Sequence, residues 1–341
     1  MDTQRTSDAE RRPQLSRTSK SYTLVQLRYF CAVARIGSMT AAASELSTSQ
    51  STLSSAITHL EHTLGVQLFE RTPRRTLEVT PAGRRLLNEA LHLLEDADRL
   101  LVTARGDIDD LAGELVVGLF APLASFRAPL ILSAFERTHP AVSMSFLEGD
   151  QESVRQALLR GRCDVALMYD VGLGPGFTTE TVDRIFPHIV VSTNHRFANR
   201  TDGVSLEELA DDPLILLDLP HTRDYYMGLF DSVGITPNIR FRISSYETVR
   251  SFVACDHGYS LLNQRLPHNR THAGLDIVRV PIREELPGIS VLVVHAHGAR
   301  PTRKALAFED VCRTLYAEQT RTSDGSIEWP AHGDPANRLS R

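Results

Sequence analysis

Cysteine is scarce and scattered in this chain. The four cysteines among 341 residues, Cys31, Cys163, Cys255 and Cys312, show no CxxC or comparable spacing, which offers neither a disulfide framework nor a metal-ligand set. Three of them sit in apolar helix or strand patterns and read as small buried side chains. Long apolar runs are missing too. The longest candidate, Gly118 to Phe135, is interrupted by Arg127 and cannot span a bilayer. The opening stretch, MDTQRTSDAERRPQLSRTSK, is polar and lacks the apolar core of a secretory signal. A cytoplasmic location without a membrane partner is therefore expected. Catalytic motifs are absent as well: the chain has no GxSxG, HExxH, P-loop or GxGxxG pattern. His295 and His297 alternate on a strand pattern, but two residues make a weak metal site. No catalytic residue, metal ligand or cofactor is assigned, and the chain is not expected to be an enzyme.

An excess of basic charge is also lacking, since the net charge is −5. Its distribution is uneven. Ser21 to Arg85 holds seven arginines against four glutamates, a net of +3, which leaves −8 on the remainder. A basic front suits phosphate contact, and an acidic remainder stays off a polyanion. The length exceeds one compact domain, and 42% hydrophobic with 23% charged residues is ordinary for a globular protein.

What is present begins at Leu24. Leu24, Leu27, Phe30, Cys31 and Ala34 recur at helical spacing, and Gly37 ends that helix. Ser38 can cap a second helix, Thr40 to Leu46, which is rich in alanine where helices approach closely. Ser47-Thr48-Ser49 makes a turn and the next cap. A third helix carries Leu53, Ile57, Leu60 and Leu64 on one face and Gln50, Ser51, Ser54, Ser55 and Thr58 on the other. Small polar side chains let a helix backbone sit deep in a major groove and still hydrogen-bond. After Leu64-Gly65, Arg71 to Thr80 reads as a hairpin around Pro73-Arg74-Arg75, with Arg74 and Arg75 placed to reach phosphates or a minor groove. Two helices, a turn and a wing form the grammar of a winged helix-turn-helix.

Thr80-Pro81 is a strong helix start. The long helix that follows has a seam of Leu86, Ala90, Leu93, Ala97, Leu100 and Ala104, spaced 4-3-4-3-4. That heptad spacing suits pairing with a second copy of the chain. Packing against the chain's own C-terminal domain is the alternative. From Glu114 strands alternate with helices, which implies parallel pairing with right-handed crossovers. Two α/β lobes joined by crossing strands would leave a cleft at their strand ends. The loop Ala121-Pro122-Leu123-Ala124-Ser125 and the turn Pro220-His221-Thr222-Arg223 each lead into a helix, where backbone N–H groups can face an anion. Tyr169 and Tyr246 fall near strand or helix starts. These residues point to a small effector with an apolar or aromatic body and an acidic head.

The fold class expected is α/β overall: an N-terminal all-α winged helix-turn-helix plus linker helix, then a C-terminal bilobed α/β effector domain. The expected boundaries are a disordered tail at 1–20, the DNA-binding domain at 21–80, the linker helix and hinge at 81–112, the effector domain at 113–318 and a second disordered tail at 319–341. Lobe I would take 113–185 and 285–318, and lobe II 186–284.

At this point the chain resembles the LysR-type transcriptional regulators, over about Leu24 to Tyr316. The resemblance is carried by Ser38-Met39-Thr40 with Ala42-Ala43, Leu46, Ser49-Gln50-Ser51, Leu53-Ser54, Ile57, Leu60-Glu61, Leu64-Gly65, Leu68-Phe69-Glu70-Arg71 and Leu77 to Gly83. Gly161 to Leu167 and Ala254 to Leu262 carry it in the second domain. It implies a cytoplasmic bacterial regulator that binds double-stranded promoter DNA as a homodimer or homotetramer. It also implies a periplasmic-binding-protein-like domain that senses a small molecule, and RNA polymerase as a further partner. By this likeness Ser38, Ser49, Gln50, Ser54 and Arg74 would contact DNA. Two departures stand out. Ser55-Ala56 replaces the family's frequent Arg-Gln, which removes a long donor for a guanine edge. Asp256-His257 stands where the family usually has Gly-Leu, and reads as a polar helix end or as part of the effector chemistry. A transport-type solute-binding protein shares the two-lobed architecture, but the basic helical front argues against it.

Overall fold

The computed structural model describes residues 21–71, 77–104, 111–266, 268–297, 300–318, 320–321 and 327–328. The hairpin tip with Arg74 and Arg75, the 1–20 tail and Trp329 lie outside the described residues. Two compact units divide at Gly83/Arg84.

The first unit holds α1 (Leu24–Ile36), α2 (Met39–Glu45), α3 (Gln50–Leu64), β1 (Phe69–Arg71) and β2 (Leu77–Val79). Each helix starts on a hydroxyl cap. The Thr23 and Gln26 side chains cap each other's backbone in a reciprocal box, and the Ser38 and Ser49 hydroxyls accept from Ala41 N and Thr52 N. Leu27, Phe30 and Val33 of α1, Ala42 and Ala43 of α2, and Leu53, Ile57 and Leu60 of α3 form the core, with Leu68 and Phe69 closing it. The alanines of α2 let the three helices approach closely. The wing strands pair antiparallel, Phe69 opposite Val79. The Glu61 carboxylate, on α3, accepts from Leu68 N at 2.7 Å and Phe69 N at 3.3 Å, which fixes the wing against α3.

α4 (Pro81–Ala104) opens on Thr80, whose hydroxyl accepts from Gly83 N at 3.0 Å and donates to the Gln67 carbonyl at 2.7 Å. The second unit continues with β3 (Gly113–Phe120), α5 (Ala121–Thr138), β4 (Val142–Gly149), α6 (Gln151–Leu159), β5 (Val165–Tyr169) and β6 (Phe177–Ile185). Lobe II follows as β7 (His188–Ser192), a 3-10 turn (Glu207–Leu209), β8 (Pro213–Leu217), α7 (Thr222–Ser232), β9 (Asn238–Ile243), α8 (Tyr246–Ala254), β10 (Ser260–Leu262) and β11 (Ile277–Val280). β12 (Ile289–Ala296) and α9 (Arg303–Glu318) return to lobe I, where α9 packs on α5. β13 (Thr320–Arg321) and β14 (Ile327–Glu328) form a two-residue ladder within the stretch expected to be a disordered tail.

The lobe I sheet runs β4-β3-β5-β12-β6. β3 is parallel to β4 and β5, as the alternation predicts, but β12 lies antiparallel to β5 and β6. The sheet is therefore mixed, because the chain crosses to lobe II on β6 and comes back on β12. β5 and β7 are buried along their whole length; β5 is an unbroken apolar run, and β7 holds Ile189, Val190 and Val191 between the buried polar residues His188 and Ser192. Lobe II carries β10-β7-β11 and β8-β9, joined through a Leu214–Tyr259 bridge. Both chain crossings are held by one polar pair. Asn263 Nδ2 donates to the Ile185 carbonyl (3.2 Å) and the Tyr225 hydroxyl (2.9 Å), and that hydroxyl donates to the Pro287 carbonyl (3.0 Å).

One local expectation changes. Ala121–Ser125 is not a loop, since α5 begins at Ala121 directly after β3. α6 starts at Gln151, where the Asp150 carboxylate caps Ser153 N at 2.7 Å.

Candidate nucleic-acid interface and ligand cavity

The exposed face of α3 carries Gln50, Ser51, Ser54, Ser55 and Thr58, with Ser49 and Thr40 exposed beside it and Ser38 half-buried. These side chains are partly ordered by one another. Thr40 Oγ1 donates to Gln50 Oε1 at 3.3 Å, and Ser49 Oγ lies 2.8 Å from both Ser51 Oγ and Thr52 Oγ1. Gln26 Nε2 donates to His59 Nδ1 at 2.9 Å, and Arg35 pairs with Glu45 at 2.6 Å, so α1 braces both α3 and α2. The result is a rigid polar face with short donors. The seven described residues named for DNA contact, Ser38, Thr40, Ser49, Gln50, Ser51, Ser54 and Thr58, lie on α2, α3 and their caps. Arg74 and Arg75 fall outside the described residues.

On the α4 seam, Leu93 is 41% and Leu100 70% exposed, while Ala90 is 2% exposed. Leu86 and Ala97 are half-buried, and the side chain of Ala104 lies outside the described residues. Leu87 packs at Gly161, so part of the helix face is used by the chain's own effector domain.

In the effector domain a cavity of about 540 Å³ opens between the starts of α5 and α8. Its walls combine apolar Pro122, Phe126, Leu130 and Leu266 with Arg127, Arg250, Arg265, His268 and His272. Ser125, Ser244 and Ser245 add hydroxyls, and Glu148 and Glu247 are its acids. Of the residues expected at the effector site, Ala121, Pro122, Ser125 and Tyr246 line this cavity. Leu123, Tyr169, His221, Thr222 and Arg223 do not, and the reasons differ. Leu123 is fully buried in the core. The middle of the cleft is filled by a buried chain in which Gln264 Nε2 donates to the Tyr169 hydroxyl (2.7 Å) and the Tyr246 hydroxyl donates to the Gln264 carbonyl. Burial pushes the Tyr169 and Tyr246 hydroxyls above their ordinary pKa, so both stay protonated donors. His221 has φ 63° and Thr222 is 1% exposed, so the turn tucks the threonine inward. His221 Nε2 instead lies 3.7 Å from Glu152 of α6, and Arg223 faces Asp218 and Asp224.

The sequence reading missed Arg127 and Arg250, both almost fully buried. A signal existed for each: Arg127 is the lone charge inside an apolar run, and Arg250 lies one turn after Tyr246 on the same helix. Arg127 Nη2 donates to Gln264 Oε1 at 3.5 Å, and its guanidinium sits 5.2 Å from the Tyr316 ring centroid. Asp256 and His257 lie at the opposite end of α8 from the cavity. Asp256 accepts from the Ser192 hydroxyl at 2.6 Å, and His257 packs on Phe252 and Phe241. They form a polar helix end. His295 is buried with Nε2 2.9 Å from Glu309 Oε2.

Behind the cavity, His188 is 2% exposed. Burial, and then the charges of Arg265, Arg279 and Arg250, hold its pKa well below the ordinary value. It stays neutral in the folded chain while the unfolded chain takes up a proton below about pH 6.5. Its contribution to stability is thus complete above that pH and is lost as pH falls toward the folded pKa, at about 1.4 kcal/mol per unit. Urea unfolding at pH 7.5 and 5.5 should show this loss in the effector domain, and a His188→Gln variant should lose most of the difference.

A winged helix-turn-helix followed by a two-lobed domain with an internal cavity defines a DNA-binding regulator that carries its own sensor. The model for "Bacterial regulatory helix-turn-helix protein, lysR family" matches residues 24–84, and that for "LysR substrate binding domain" matches residues 109–317. The chain belongs to the LysR family of transcriptional regulators. Among its relatives is a "Hydrogen peroxide-inducible genes activator" of Pectobacterium carotovorum subsp. carotovorum, 30% identical over 275 residues, which cover 80% of this chain and 90% of that one. A "Probable hydrogen peroxide-inducible genes activator" of Mycobacterium leprae (strain TN) is 33% identical over 257 residues, covering 72% and 80%. Among solved structures, HinK, a LysR family transcriptional regulator from Pseudomonas aeruginosa, is 34% identical with a TM-score of 0.58, covering 87% of this chain and 99% of that one.

Proposed function

We propose that this regulator senses an organic acid with an apolar or aromatic body. The observation that carries the reading is the cavity wall, in which three arginines face apolar side chains across about 540 Å³. Arginine forks match carboxylates, and the starts of α5 and α8 add N–H groups of the same polarity. Peroxide, suggested by the names of the relatives, is the second reading, and it would require a reactive thiol. The thiolate is the reactive form of cysteine. Here burial pushes the Cys163 thiol up to about 12 and the Cys312 thiol higher still. Cys31 is half-buried on α1, Cys255 is exposed at the far end of α8, and neither lines the cavity. The chemistry of the wall therefore favours the acid.

On DNA, Ser38, Thr40, Ser49, Gln50, Ser51, Ser54 and Thr58 would contact the groove, with Arg74 and Arg75 on flanking phosphates or the minor groove. Short donors alone give modest base discrimination, so paired half-sites carry much of the specificity. The exposed Leu93 and Leu100 support pairing of α4 with a second copy, as a dimer or tetramer. The protein acts in the cytoplasm, touches RNA polymerase at the promoter and catalyses no reaction itself. No helix among the described residues is long and apolar enough to cross a membrane.

Isothermal titration of the full-length protein against benzoate, phenylacetate, cinnamate and their hydroxylated forms tests the reading. Micromolar binding of at least one acid is expected. No binding by any, together with a peroxide-dependent change in a gel shift, would sink it.

A further inference from the structure

Arg127 and Glu95 sit at opposite ends of one helix. α9 packs along α5, and at its C-terminal end Tyr316, 3% exposed, lies under the Arg127 guanidinium. Arg127 is also part of the cavity wall. At the N-terminal end of α9 the first backbone N–H groups have no partner within the helix. Thr302 Oγ1 accepts from Ala305 N at 3.2 Å. The first two N–H groups of the helix, Arg303 N and Lys304 N, donate to the Glu95 carboxylate of α4 at 2.9 and 3.2 Å, and Lys304 Nζ stands 4.0 Å away. Glu95 is 9% exposed. One turn earlier on α4, His92 Nε2 donates to the Arg300 carbonyl. Near the start of the same helix, Leu87 closes over Gly161, where a β-carbon would come within 2.3 Å of it.

We propose that α9 is a strut that transmits the state of the cavity to α4, gripped by Arg127 at one end and capped by Glu95 at the other. The proposal rests on the reading of the cavity as the effector site. Its physical basis is that both grips are all-or-none. A buried carboxylate is tolerable while its oxygens are hydrogen-bonded and sit at a positive helix end, and costly once the helix N-terminus moves away. Glu95 is therefore either docked or withdrawn into water, with no stable halfway position. At the other end, an anion in the cavity competes with the Tyr316 ring for the same guanidinium. It thus interacts differently with the two positions of α9, which is what a ligand needs in order to shift an equilibrium. α4 begins at Pro81 in the DNA-binding unit, so the docked or undocked state of its later turns is the form in which the signal leaves the effector domain.

The test is hydrogen–deuterium exchange on the full-length, unliganded protein, read on peptides from 84–104 and from the first turn of α9. Glu95→Gln should speed exchange in α4 about tenfold or more. Arg127→Lys, which touches no residue of α4, should speed the same α4 peptides several-fold, and the double variant should be no faster than Glu95→Gln alone. Peptides from β8 and β9 in lobe II control for general loosening. If Arg127→Lys loosens those too, Tyr316→Leu approaches the same grip from α9 and is read in its place. Unchanged α4 exchange in Glu95→Gln overturns the proposal, as does unchanged α4 exchange when the Arg127 grip is broken, or a double variant whose effects simply add. Because no ligand is present, these outcomes stand apart from the acid titration. A failed titration with intact coupling removes the effector reading of the cavity and leaves the connection between Arg127 and α4.

Discussion

Replacing Gly83 by alanine should weaken specific DNA binding at least tenfold while leaving the effector domain folded. The expectation runs against helix propensity, which favours alanine over glycine by about 1 kcal/mol within a helix. Space decides otherwise. A β-carbon at Gly83 would stand 2.4 Å from the Leu68 carbonyl oxygen, 2.7 Å from Val79 Cγ1 and 3.2 Å from the Leu68 carbonyl carbon. A side chain could rotate away, but a backbone carbonyl cannot. The Leu68 oxygen also accepts from Thr80 N at 3.0 Å, just before α4 begins. Relief by moving residue 68 would strain the two bonds by which Glu61 holds the wing to α3. Overpacking of this kind costs about 1–3 kcal/mol or more. A net loss of ~2 kcal/mol lowers the melting temperature of a domain this small by roughly 10 °C. In a gel shift with the protein's own upstream DNA, affinity should fall at least tenfold. Wild-type affinity with an unchanged melt would show that the close approach at Gly83 is dispensable.

That glycine belongs to the segment most legible in the sequence. From Thr23 to Gly83 each helix announces its start with a hydroxyl and its face with a period, and the structure follows both. Leu53, Ile57 and Leu60 are buried, and the serines between them are exposed. Local signals were enough because the contacts are nearly all local. The candidate effector site was less legible because it depends on which helix starts remain uncovered. Four helices, α5, α6, α7 and α8, begin at the strand ends of the cleft, and composition does not rank them. The starts of α5 and α8 line the cavity, while Tyr169, Gln264 and Tyr246 close the middle and the turn at His221 carries Thr222 inward. The α4 seam shows a second kind of limit. An apolar stripe looks the same whether it meets a partner or its own domain, and here Leu87 packs at Gly161 while Leu93 and Leu100 remain exposed.

Arg250→Met should cost both stability and acid binding, in a way that a second substitution separates. Arg250 is 3% exposed. Its Nη1 donates to Glu247 Oε2 at 2.5 Å, and its Nη2 to the Arg270 and His268 carbonyls at 3.1 and 3.4 Å. Glu247 in turn accepts from His272 N at 2.6 Å. The pair thus holds the 268–272 segment, which supplies His268 and His272 to the cavity wall. Removing the guanidinium strands a largely buried carboxylate and two carbonyls, at a cost of about 3–5 kcal/mol. Denaturant unfolding of the effector domain should register that loss. Replacing both partners by apolar residues, Arg250→Met with Glu247→Leu, removes the stranded charge and should restore much of the stability. Acid binding should not return, because the cation proposed to meet the ligand is gone in both variants. Arg250→Lys keeps the charge but cannot fork to three acceptors, so it should fall between wild type and Arg250→Met in both measurements. Retention of wild-type acid affinity in the stable double variant would remove Arg250 from ligand recognition and leave it as a brace for the rim.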